Sequence, residues 1–144
     1  MVANNIKILL VDDDDSLRQM YNLILTKAGY SVTKAIDGID GLAKAREGGY
    51  DLVLMDLMMP NLDGIGMLKG LLDEAPKKPN GPTVVLSNAG YDNVAKEAIS
   101  LGAVGFLMKA EMLPKDLTTA VSGYLEKHKT EEAPEAWKKG RPGK

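Results

Sequence analysis

Asp51-Leu52-Val53-Leu54-Met55-Asp56-Leu57-Met58-Met59-Pro60-Asn61-Leu62-Asp63-Gly64 is the stretch that decides the fold. Leu52 to Met55 are apolar without polar alternation, the texture of a parallel strand covered on both faces. The run stops on a carboxylate, Asp56. Pro60, Asp63 and Gly64 then read as a loop and a helix entry.

The same unit recurs on either side. Ile6 to Val11, Tyr30 to Lys34, Thr83 to Leu86 and Val104 to Met108 are further strand candidates. Helical segments lie between them. Leu17, Met20, Tyr21, Ile24 and Leu25 follow helical spacing, as do Val94, Ala98, Ile99 and Leu101. A last helix has Pro114 near its first turn and turns Leu117, Val121, Tyr124 and Leu125 inward. Five strands alternating with five helices predict an α/β, doubly wound three-layer sandwich with helices on both faces. In such a sheet the functional site lies beyond the carboxyl ends of the strands.

Those ends carry the chemistry. The first strand runs into Asp12-Asp13-Asp14-Asp15, the third ends in Asp56, the fourth in Ser87 and the fifth in Lys109. Clustered carboxylates repel one another unless protonated or joined by a cation. Hard oxygen donors without His or Cys select Mg²⁺ or a similar ion. A carboxylate nucleophile, a divalent cation, a Lys and a hydroxyl together suit phosphoryl transfer. Asp14 is placed to cap the first helix, and Asp15 lies in its first turn.

Composition bounds the rest. The 144 residues suffice for one domain, and with 44% hydrophobic and 26% charged residues a soluble core is expected. Aromatic residues are only 5%, so the core must be aliphatic, with Met filling gaps. A net charge of −2 argues against nucleic acid or membrane as a bulk partner. The chain has no Cys and no apolar stretch near the ~20 residues of a membrane span. A cytoplasmic location is expected. The domain is expected over 1–127, with a flexible polar tail over 128–144. That tail contains the one His, His128, and ends in a basic stretch that gives no sequence reading of DNA.

Lys7 to Asp14, Asp51 to Gly64, Ser87, Gly102-Ala103 and Phe106 to Lys109 together resemble a bacterial response-regulator receiver domain, of the single-domain, chemotaxis-regulator-like kind. The resemblance covers roughly residues 5–127. It implies a flavodoxin-like (βα)5 fold with strand order 2-1-3-4-5. It implies that Asp56 takes the phosphoryl group, that Asp12, Asp13, Asp56 and the Met58 backbone carbonyl hold Mg²⁺, and that Lys109 binds the phosphoryl oxygens. Ser87 and Phe106 would be the switch pair. A sensor histidine kinase, a phosphotransfer protein or a small acyl phosphate would be the donor. A downstream protein would dock on helix 4, strand 5 and helix 5, about Asp92 to Leu125.

The pattern departs from the family at two places. Ala110 follows Lys109 where the family usually has Pro, often cis; a non-Pro cis bond costs about 2.5–4 kcal/mol, so Lys109–Ala110 is expected trans. Asn88 follows Ser87 where a small residue is common. Met58 and Ala89, at positions that tune attack of water on the acyl phosphate, offer no acid or base, so fast self-dephosphorylation is not expected. Three other functions fit part of the pattern. A haloacid-dehalogenase-like phosphatase would need a second Asp where Met58 stands. A flavin-binding module would set its phosphate against four Asp residues. A receiver that had lost phosphorylation would not keep the whole set. The Met55, Met58 and Met59 side chains are expected in packing.

Overall fold

The computed structural model describes residues 6–88, 92–109 and 112–130. In chain order the elements are β1 (Lys7–Val11), α1 (Asp15–Lys27), β2 (Ser31–Ala35), α2 (Gly38–Glu47), β3 (Leu52–Asp56), α3 (Gly64–Asp73), β4 (Thr83–Ser87), α4 (Asn93–Ser100), β5 (Gly105–Met108) and α5 (Pro114–Thr130). All strand pairs are parallel, in the order β2-β1-β3-β4-β5. This is the expected doubly wound (βα)5 sandwich. Helix α5 continues through His128 to Thr130, past the expected domain boundary at 127. The remainder of the expected tail, 131–144, lies outside the described residues.

The period-2 alternation of each strand splits its side chains between two cores. Leu9, Val11, Val53, Met55 and Val85 pack with Ala45, Met67, Leu68, Ala95 and Ala98 from α2, α3 and α4. Ile8, Leu10, Leu52, Leu54, Val84 and Leu86 pack with Tyr21, Leu25, Leu117 and Val121 from α1 and α5. Central strand β3 is buried along its whole length, whereas edge strand β2 is mostly half-exposed. The double covering explains why β1, β3 and β4 read as unbroken apolar runs.

Four helices start on the same device. Asp14, Asp37, Asp63 and Asp92 each accept a backbone N–H three residues on, from Leu17, Asp40, Gly66 and Ala95, at 2.8–3.0 Å. Such a cap contributes about 1 kcal/mol. At α5 the relation is inverted: the Leu113 N–H donates to Asp116 in the first turn. These caps sit at the carboxyl end of the sheet, so they also surround the site.

One close approach fixes the rim. A Cβ on Gly38, the first residue of α2, would lie 1.7 Å from the backbone oxygen of Leu62 in the β3–α3 loop. Neither side of that contact is a flexible side chain. Asn61 of the same loop, at φ +70°, donates from Nδ2 to Asp37 Oδ2 at 2.9 Å. The N–H of Asp40 and this amide hold the Asp37 carboxyl below its ordinary pKa. We expect Gly38→Ala to destabilise the protein by about 1–3 kcal/mol, because backbone must move to make room. Urea unfolding reads this directly; an unchanged midpoint would contradict the contact.

Candidate functional site

Three strands deliver three charged groups to one place. Asp12 is the first residue after β1, Asp56 the last of β3, and Lys109 the first after β5. All three side chains are almost fully buried. The Lys109 ammonium lies 3.0 Å from Asp56 Oδ2, and 3.2 and 3.5 Å from Asp12 Oδ2 and Oδ1. The remaining oxygens have backbone partners in part. Asp56 Oδ1 accepts the Met58 N–H at 3.2 Å, and Asp12 Oδ1 accepts the Asp14 N–H at 3.0 Å.

Two carboxylates against one ammonium leave a deficit of positive charge. Burial pushes the Asp12 carboxyl above its ordinary pKa, and the Asp14 N–H and Lys109 only partly oppose it. Burial works to lower the Lys109 pKa, but the hydrogen bond to Asp56 and the two negative charges outweigh it and hold the ammonium above its usual range. Asp12 Oδ2 is buried at ion-pair distance from Lys109 but receives no hydrogen bond among the described residues. A buried carboxylate oxygen left in this way is costly unless something else supplies positive charge.

Asp13 completes the acidic cluster. It is exposed, and one oxygen from each of Asp12, Asp13 and Asp56 lies within 4.8 Å of the others. The donor set is oxygen only, it carries excess negative charge, and one of its oxygens lacks a hydrogen bond among the described residues. Those features fit a hard divalent cation such as Mg²⁺.

Of the other expected residues, Ser87 and Met58 fall at the same end of the sheet, and Phe106 lies further back on β5. Ser87 is buried at the end of β4, one residue beyond Leu86, the register partner of Asp56. Phe106 lies on β5 opposite Val85 and packs against the core on the α2, α3 and α4 face. Met58 has its backbone at Asp56, but its side chain is 69% exposed. The expectation that Met58 packs with Met55 and Met59 is therefore corrected: Met55 is buried and Met59 packs on the core, while Met58 stands in solvent beside the acid cluster. Ala89 and the Lys109–Ala110 bond lie outside the described residues.

Arg18 escapes a reading of the sequence. Its side chain is 11% exposed, and its guanidinium donates to the Asp12 carbonyl oxygen at 2.7 Å. The signal lies in the spacing of Arg18, Tyr21 and Leu25, the three buried positions of α1. Met20, expected on that stripe, is 43% exposed. At 100° per residue it lies roughly 130° from the centre of the buried face.

The chain is similar to known proteins over most of its length. The model of the response regulator receiver domain matches residues 8–122. The chain is 38% identical over 106 residues to the chemotaxis protein CheY of Treponema pallidum, covering 72% of each chain. It is 35% identical over 101 residues to the transcriptional regulatory protein YcbL of Bacillus subtilis, covering 70% of this chain and 43% of that longer protein. Among solved structures, the receiver domain of the Francisella response regulator 1452 aligns with a TM-score of 0.74 and 30% identity, over 85% of this chain and 98% of that one.

Proposed function

We propose, since the chain belongs to the response regulator receiver domain family and so serves phosphorelay signalling, that Asp56 is its phosphoryl acceptor and that the buried Asp12–Lys109–Asp56 cluster is the switch. One observation carries this reading: the Lys109 ammonium clasped between two buried carboxylates, one of them with an oxygen that has no hydrogen bond among the described residues. A second cation and a phosphoryl group would complete that charge pattern.

The chain's own residues divide the work. The Met58 N–H and Lys109 each hold one oxygen of Asp56 and so orient the carboxylate. An Asp56 oxygen forms a bond to phosphorus as the bond to the donor breaks. The donor is a phosphohistidine of a sensor kinase or phosphotransfer protein, or an acyl phosphate, and it keeps the electron pair. Lys109 then transfers its hydrogen bond from Asp56 Oδ2 to a phosphoryl oxygen. Ser87, one strand away, donates its hydroxyl to another, and Phe106 follows it. Asp12, Asp13, Asp56 and the Met58 carbonyl would hold Mg²⁺, which when bound neutralises charge on the transferring group. The downstream partner docks on the α4–β5–α5 face, and the protein works in the cytoplasm. A population shift between two arrangements of that face transmits the signal.

Residue 58, where a second acid would activate water, is Met. Nothing therefore supports the phosphatase alternative, and no unusually fast self-dephosphorylation is expected. The test is intact-mass measurement after incubation with acetyl phosphate, with Mg²⁺ and with chelator. One adduct is expected, and only with Mg²⁺. Asp13→Ala should raise the Mg²⁺ concentration needed by about 10-fold or more, the cost of losing one of few charged ligands. An adduct that forms equally in chelator would overturn the metal assignment.

A further inference from the structure

We infer that Arg18 is a positioning residue for the Asp12–Asp13 pair, acting on Mg²⁺ binding through the backbone rather than through its charge. The inference rests on the metal reading above and extends it to a residue that touches neither metal nor phosphoryl group.

The guanidinium is nearly buried between α1 and the end of β1. Its Nη1 donates 2.7 Å to the Asp12 carbonyl, and its Nη2 pairs with the Asp15 carboxylate one turn earlier on the same helix. The Asp15 side chain is 80% exposed, so that half of the fork is anchored at the surface and the other half reaches inward. The carbonyl it meets belongs to the peptide that joins Asp12 to Asp13. On the other side of this turn, the Asp14 N–H donates to Asp12 Oδ1 at 3.0 Å. The two bonds grip the turn at its carbonyl and at its side chain. Fixing the plane of that peptide restricts ψ of Asp12 and φ of Asp13, and so the direction in which the exposed Asp13 carboxylate leaves the backbone. A planar fork with two fixed donors suits this bridging; a lysine ammonium does not reproduce it.

Charge and position predict opposite signs. A positive group beside the acid cluster repels an incoming cation, so removing it by charge alone tightens Mg²⁺ binding. If Arg18 positions the ligands, removing it weakens binding despite the extra negative charge. Groups that orient metal ligands typically cost about 10–100-fold in affinity when lost.

The experiment titrates the full chain with Mg²⁺ by calorimetry, for wild type, Arg18→Met and Arg18→Lys, with the metal-free amide spectrum recorded for each. Arg18→Met should bind about 10-fold more weakly or worse, with the Asp13 and Asp14 amides displaced before any metal is added. Arg18→Lys, which keeps charge and stem but not the fork, should also weaken binding. Unchanged or tighter binding in folded Arg18→Met overturns the inference. If Arg18→Met does not fold, equal affinity of Arg18→Lys and wild type overturns it. Wild type failing to bind Mg²⁺ at all would instead remove the metal reading, and this inference with it.

Discussion

Asp56→Asn should take up no phosphoryl group from acetyl phosphate in the presence of Mg²⁺, a loss of more than about 1,000-fold, as for other enzymic nucleophiles removed singly. The substitution keeps the shape of the side chain. The amide oxygen of the variant can still accept the Met58 N–H that Asp56 Oδ1 accepts now, so the fold and the β3 end should survive. That oxygen has no full negative charge to attack phosphorus, and the amide nitrogen faces Lys109 where an acceptor stood. Intact mass before and after incubation reads the result. The exposed Asp13 is the nearby alternative acceptor. An adduct that persists in Asp56→Asn and maps to Asp13 would move the chemistry from β3 to β1.

Lys109→Met should be the most destabilising single change at the site in metal-free solution. Removing the ammonium leaves Asp12 and Asp56 buried and facing each other without the cation they share. Breaking a buried pair in this way costs roughly 3–5 kcal/mol. That range applies here because all three side chains are almost fully buried. In a domain of this size that is on the order of 10 °C of melting temperature. The distinctive result is the response to metal. With Lys109 gone, Mg²⁺ becomes the sole counter-charge and should bind more tightly, so it should raise the Tm of the variant by more than that of wild type. Thermal unfolding in chelator and in Mg²⁺ compares the two. Equal increments in both proteins would show that Lys109 and the metal do not share the carboxylates.

The fold is legible because its strands are covered on both sides. Leu52 to Met55 carry no polar interruption, and each strand of the site stops on or beside a residue of distinct chemistry. Asp12, Asp56, Ser87 and Lys109 can be read from those stops, since an all-parallel sheet gathers every carboxyl end on one edge. How the side chains share partners cannot be read. Lys109 bridging Asp12 and Asp56 spans 97 residues of chain at its longest, and Asn61 meeting Asp37 spans 24. Neither contact leaves a periodic trace. Arg18 is hidden for a different reason: a charged residue on a buried stripe reads as a break in the stripe, when it marks a buried polar partner. Met20 then fills the stripe on paper, though not in the helix. Met58 misleads because its apolar neighbours suggest a packed cluster, while the loop after β3 turns its side chain outward.

The uniform strand direction also fixes the other end of the molecule. The connections that enter β2, β3, β4 and β5 must all lie at the amino ends of the strands, away from Asp56. A five-residue strand separates the two ends by about 17 Å. The longest of these entering connections, between α3 and β4, exposes Glu74, Ala75, Lys77 and Lys78. A fluorophore or surface tether attached there is insulated from the acid cluster by the whole length of the strands. The protein thus comes with a reactive pole and a handling pole, and immobilised measurements of its phosphorylation can use the second without touching the first.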